Sequence, residues 1–162
     1  MKLSACCKAL VVALLAVLAG SASAQSFAGF QAASIAPPGL ITISPGQDAS
    51  VPLTIRIRPG YHINSREPAE EYLIATKLTW DESPLQLKAV SYPAAEIVTY
   101  SFSPKPLLVY SGNITVTSTF SVPEKIPPEL NELTATLRYQ ACNDKSCFRP
   151  QKIRIKVSTI TK

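Results

Sequence analysis

"SVPLTIRIR", residues 50–58, is the stretch from which the fold can be read. Val51, Leu53, Ile55 and Ile57 fall on one parity, and Thr54, Arg56 and Arg58 on the other. Successive side chains of a strand point to opposite faces, so this segment is a strand with one dry face and one wet face. The same period of two returns in "NITVTSTFSV" (113–122), where Ile114, Val116, Phe120 and Val122 oppose Thr115, Thr117, Thr119 and Ser121. It recurs in "LTATLRYQ" (133–140), with Leu133, Ala135, Leu137 and Tyr139, and in "KIRIKV" (152–157), with Ile153, Ile155 and Val157. Further strands are expected at residues 40–44, 73–80 and 85–92.

Fourteen prolines and six glycines break the chain into short pieces and leave almost no window for a 3.6-residue apolar period. About seven strands in one domain of this size predict an all-β fold, an antiparallel β-sandwich of immunoglobulin-like type with Trp80 in its core. "REPAEEY" (66–72) is open between two readings. Pro68 fits a first helical position with Glu70 and Glu71 in the first turn, and a loop fits equally well. "YPAAEIVTYSFSPKPLLVY" (92–110) and "VPEKIPPELNE" (122–132) read as long connections.

The chain starts "MKLSACCKALVVALLAVLAGSASAQ", with Lys2 and Lys8, an apolar run over 9–19 and a small-residue exit at Ala22, Ser23 and Ala24. This pattern predicts a secretory signal peptide over 1–24 and a mature domain over 25–162. The apolar run is shorter than the roughly 18 to 20 residues that span a bilayer, so no membrane span is expected in the mature form. Cys6 and Cys7 precede the apolar run, whereas a lipid-anchored cysteine follows it, and both are expected to leave with the signal. Removing Lys2 and Lys8 lowers the formal charge from +5 to +3. The remaining basic residues alternate along strands, which speaks against nucleic acid as a partner. Asn113-Ile114-Thr115 matches a glycosylation acceptor but lies inside an alternating strand and is read as structure.

Two cysteines then remain, Cys142 and Cys147, in an export compartment where disulfides persist. If "LTATLRYQA" and "FRPQKIRIKV" pair as a hairpin, the cysteines flank the loop "NDKS" and face each other at about the 5.5 to 6 Å that a disulfide requires. Such a bond is either a staple or a redox couple. A ring this small contributes about 2 kcal/mol by loop closure, against nearly 5 for a loop of about a hundred residues. A local bridge is therefore a weak staple and costs little to open. Lys145 and Arg149 favour a thiolate and Asp144 opposes it. Metal binding is disfavoured: the spacing is not that of a zinc knuckle, and His62 is the only histidine available. No Cys-His pair suited to hydrolysis is arranged by the sequence, and His62 is read as a partly buried strand residue.

"YQACNDKSCFRPQKIRI" (139–155) resembles the C-terminal hairpin of the amino-terminal, periplasmic domain of the thiol:disulfide interchange protein DsbD. The likeness extends to "PGYHINSREPAEEYLIATKLTW" (59–80), "SYPAAE" (91–96) and "VYSGNITVTSTFSV" (109–122). What the resemblance implies is an immunoglobulin-like domain with a cycling disulfide at one end, Cys147 forming the mixed disulfide with partners and Cys142 resolving it. The electron donor would be a thioredoxin-like domain or a membrane-embedded thiol reductase, and the acceptors periplasmic thiol-disulfide proteins, with no cofactor or metal. The family shields its disulfide with an aromatic cap loop. "TYSFSPKP" (99–106) matches that loop, with Phe102 and the adjacent Tyr100 as the shielding residues, although Ser101 and Ser103 stand where the family has acidic residues. Tyr61, His62 and Tyr139 are the residues expected to line the site. DsbD continues into membrane and thioredoxin domains, and the expectation here is of the electron-delivering module alone.

Two functions follow from this reading. One is a soluble periplasmic thiol:disulfide carrier. The alternative is a non-catalytic β-sandwich binding module with a structural hairpin disulfide, whose edge strands or "TYSFSPKP" loop contact a protein partner.

Overall fold

The computed structural model describes residues 30–162. The expected signal peptide, with Cys6 and Cys7, lies outside the described residues. Among the described residues, twelve strands run β1 (Ala33–Ile35), β2 (Ile41–Ile43), β3 (Asp48–Ile57), β4 (His62–Asn64), β5 (Lys77–Trp80), β6 (Gln86–Ser91), β7 (Glu96–Val98), β8 (Leu107–Tyr110), β9 (Asn113–Ser121), β10 (Glu132–Tyr139), β11 (Ala141–Cys142) and β12 (Gln151–Thr161). They form three four-stranded sheets, ordered β1-β3-β9-β6, β2-β12-β10-β5 and β11-β4-β8-β7. The fold is an all-β, immunoglobulin-like sandwich. Every pairing is antiparallel except β2 with β12, which is parallel.

The first two sheets close on the core that the alternation predicts. Along β3, Val51, Leu53, Ile55 and Ile57 are buried, whereas Ser50, Pro52 and Arg56 are exposed. Facing them are Leu133, Ala135, Leu137 and Tyr139 of β10 and Ile155 and Val157 of β12. Each aliphatic side chain buried in this way contributes roughly 1.5–3 kcal/mol. The wet faces carry cross-strand ion pairs, Lys156 with Glu132 and Arg154 with Asp81, all substantially exposed. Exposed pairs are worth at most about 1 kcal/mol, so the apolar alternation holds the sandwich together. Trp80 is half-buried rather than central: it packs edge-on against Phe120 with centroids 5.0 Å apart and donates Nε1–H to Ser118 Oγ.

One open reading is decided and two expectations change. The segment 66–72 forms turns and bends, with no helix among the described residues. The strand expected over 73–80 begins only at Lys77. The connection expected over 92–110 contains β7 and β8, which pair with each other and, through β8, with β4. These are short strands between prolines, and they exist as strands because β4 offers an edge to pair with.

The third sheet positions the cysteines. The main-chain path leaves β10 at Tyr139, turns at Gln140 and joins β4 through β11. Pro150, lacking an N–H, stands where the β10–β12 ladder ends at the Tyr139–Gln151 pair. The register then sorts side chains onto two faces. Ile63, Tyr110 and Ala141 face the main core. On the opposite face lie Cys142, His62, Asn64, Val109 and Leu107 with Glu96 and Val98 of β7.

Candidate functional site

The tight turn Arg58-Pro59-Gly60-Tyr61 sets up β4. Gly60 sits at φ 80°, and Tyr61 N–H donates to Arg58 O at 3.1 Å. Proline followed by a glycine of positive φ is the signature of a type II turn. The turn delivers His62 directly opposite Cys142 across the β4–β11 pair.

Cys142 and Cys147 are joined by a disulfide, with their α-carbons 3.9 Å apart. This is closer than the separation expected above. Asn143 N–H donates to Ser146 O and Phe148 N–H to Ala141 O, so the cysteines form the intervening non-hydrogen-bonded pair, the closer of the two kinds in an antiparallel ladder. Asn143 Oδ1 accepts from both Lys145 N–H and Ser146 N–H at 2.9 Å, which folds the "NDKS" loop as an Asx turn. Gln140 fixes the corner by bonding β4, the 73–76 segment and Phe148 at once.

The two cysteines differ in exposure. Cys142 is fully buried, while Cys147 is half-buried. Cys147 packs against a small cluster of Leu73, Leu107 and Val109, and Tyr100 and Val98 pack against the same cluster. Tyr100 belongs to a turn closed by Ser103 N–H donating to Tyr100 O, with Ser103 Oγ–H donating to Lys105 O. Lys105 in turn pairs with Glu70 at 2.9 Å, tying this loop to the 66–72 segment. Ser103 therefore holds the loop's shape.

Tyr100 stacks on His62 with ring centroids 4.3 Å apart and planes 17° from parallel. Phe102 stacks on the Tyr100 ring at 5.4 Å and is the more exposed of the two. The two rings are thus layered, with Tyr100 against His62 and Phe102 outside. His62 is 3% exposed. Burial pushes its pKa down to about 4, against a smaller opposing pull from Glu96. Burial likewise raises the Tyr100 phenol, with Glu96 adding to it.

Tyr61 and Tyr139 stand apart from this group. Tyr61, one residue before His62, packs with Phe30 and Phe148 at centroid distances of 5.1 and 5.8 Å. These three rings, with Ala32, Ala141 and Arg149, line a cleft of about 510 Å³ beyond the hairpin. Tyr139 is fully buried in the core, and its hydroxyl donates to Gln151 Oε1 at 2.6 Å. Asn64, Leu73 and Gln140 were not singled out from the sequence as site residues. Gln140 lies near Cys142 in the stretch "YQAC" (139–142), which is the one available signal.

Residues 32–159 match the family model described as thiol:disulfide interchange protein DsbD, N-terminal. No curated protein matches the chain in sequence. Among solved structures, the chain is similar to the N-terminal periplasmic domain of ScsB from Proteus mirabilis, at 14% identity and a TM-score of 0.53. That match covers 72% of this chain and 43% of the ScsB chain, so this chain spans less than half of it. A cohesin module of a family 33 glycoside hydrolase from Clostridium perfringens overlaps at 10% identity and a TM-score of 0.44, over 80% of this chain and 96% of that one.

Proposed function

From the premise that this chain belongs to the family of the N-terminal domain of the thiol:disulfide interchange protein DsbD, we propose that it is a periplasmic electron carrier working through Cys142 and Cys147. The observation that carries this reading is the unequal exposure of Cys142 and Cys147, with Tyr100 packed on the same apolar cluster as Cys147. In the reduced domain, the thiolate of Cys147 attacks one sulfur of a partner disulfide, forming the Cys147–partner bond and releasing the other partner sulfur as a thiolate. Cys142, held opposite His62 and shielded from outside thiols, then attacks Cys147 Sγ. The Cys142–Cys147 bond forms, the mixed disulfide breaks, and the partner leaves as a dithiol once it has taken up two protons. Two electrons pass to the partner, and a membrane-linked thiol reductase or a thioredoxin-like domain restores the pair.

Tyr100 and Phe102 shield the disulfide between encounters. The hairpin is suited to cycling because groups other than the sulfurs also hold its shape: the Asx turn at Asn143, the Ala141–Phe148 hydrogen bond and the Gln140 contacts use neither cysteine side chain.

The test is the reduction potential of residues 25–162, obtained by equilibration with defined thiol buffers and counting free cysteines by alkylation and mass. A value between about −270 and −120 mV is expected, the range of working thiol-disulfide proteins. A value below about −300 mV would make the bond structural and leave a binding module as the better reading.

A further inference from the structure

We propose that His62 is the proton acceptor for Cys142 in the resolving step, and that the cap loop controls its strength by stacking Tyr100 on its ring. The inference rests on the carrier function above. Three geometric observations support it. Cys142 and His62 are directly opposite each other on one face of the β11–β4 pair, where facing side chains are in contact range, their β-carbons about 5 Å apart. The imidazole is 3% exposed, and among the described residues its Nε2 has no hydrogen-bond partner. A buried polar atom left unpaired is costly, so its retention beside a reactive sulfur asks for a use. Finally, the ring's face is covered by Tyr100, which packs on the same Leu73, Leu107 and Val109 cluster as Cys147.

The chemistry fits the burial of each group. Cys142 is cut off from bulk water, so its thiol proton needs a local acceptor before the sulfur can attack. The titratable groups around His62 are Cys142 of β11, Tyr100 of the cap and Glu96 of β7, while β8 presents Leu107 and Val109 on this face. Among the described residues, Glu96, which accepts from Ser111 Oγ, is the carboxylate placed to stabilise an imidazolium. In the capped state the ring is neutral and a weak base. When Tyr100 is lifted by a docking partner, water reaches the ring and its basicity moves back toward the ordinary value. His62 then takes the proton from Cys142, the new thiolate attacks Cys147 Sγ, and the imidazolium passes the proton to the departing partner thiolate. Proton transfer is thereby available when a mixed disulfide is present.

The test uses the reduced domain and a symmetrical aromatic disulfide whose released thiolate is coloured. Attack by Cys147 releases one coloured thiolate, and resolution by Cys142 releases the second, so the two steps are read separately. Both are followed from about pH 5 to 9 in the wild type and in His62→Phe, which keeps a ring for Tyr100 to stack on. The first release is expected to be unchanged, and the second to be slower by about tenfold or more at neutral pH. The gap should close at alkaline pH, where Cys142 ionises unaided. In His62→Ala, added imidazole is expected to restore the second release. An identical pH profile in His62→Phe, or a slowing equal at every pH, would overturn the proposal. If no coloured thiolate is released even by the wild type, the carrier function itself fails, and this inference with it.

Discussion

Gln140 and Asn64 are joined side chain to side chain, Asn64 Nδ2 donating to Gln140 Oε1 at 3.0 Å, and this bond ties the cysteine hairpin to the strand behind it. The same Oε1 accepts from Ile74 N–H at 2.9 Å, and Gln140 Nε2 donates to Phe148 O at 3.1 Å. One side chain therefore fixes the position of Cys142, of Cys147 through Phe148, and of the segment that delivers Leu73.

Replacing Gln140 by Met, of similar length but without hydrogen-bonding groups, strands Ile74 N–H and Phe148 O. Leaving such groups unpaired costs about 1–3 kcal/mol each, partly offset where water reaches them, so a loss of about 2 kcal/mol is expected in urea unfolding. The same variant should react faster with alkylating agents when reduced, because the hairpin is less tightly held.

Tyr100→Ala removes the inner layer of the cap. Thiol–disulfide exchange depends on access to the sulfur, so a small thiol should reduce the Cys142–Cys147 bond severalfold faster than in the wild type. Phe102→Ala, which removes only the outer layer, should have a smaller effect. Because the loop is partly exposed, both variants should retain stability within about 1 kcal/mol. Equal rates in Tyr100→Ala and the wild type would mean that the cap does not shield the bond.

His62 makes stability depend on pH in a defined direction. Its folded pKa of about 4 lies below the ordinary 6.5, so between these values the unfolded chain binds the additional proton. Stability contributed by the neutral ring is complete above about pH 6.5, falls as the pH drops through that window, and is fully lost below about pH 4. The whole shift corresponds to about 3 kcal/mol, and relaxation that admits water lowers this to on the order of 2 kcal/mol. Unfolding free energies of the wild type minus those of His62→Phe, measured from pH 7.5 to 4, should show this slope. A difference independent of pH would show that the ring protonates without cost in the folded state.

Trp80 donates Nε1–H to Ser118 Oγ at 2.8 Å, and Ser118 is fully buried. Trp80→Phe keeps a ring against Phe120 but leaves the hydroxyl without its donor, a loss expected at about 1–2 kcal/mol. Adding Ser118→Ala removes both partners and should recover part of that loss, as followed by circular dichroism on heating.

The strands that build the main core were legible because their pattern is local. Alternation in "SVPLTIRIR" needs no knowledge of what β3 packs against, only that one face is dry. The small sheet was not legible for the opposite reason: β4, β7 and β11 have three, three and two residues, too few to show a period. Pro93, Pro104 and Pro106 also made 92–110 look like an unstructured connection, although β7 and β8 lie within it.

The cysteine pair could be found in the sequence from its spacing and its flanking strands, because a hairpin brings near neighbours together. Which residues surround that pair is decided by register between segments far apart in the chain. Tyr61 and His62 are adjacent, and a strand turns adjacent side chains to opposite faces. Only the pairing of His62 with Cys142 determines that these two lie on one face while Tyr61 packs beyond the hairpin with Phe148. Likewise, the resemblance pointed to Tyr100 and Phe102 together, and their order outward from His62 follows from a stack that exists only once β4 and the 99–106 loop are folded together.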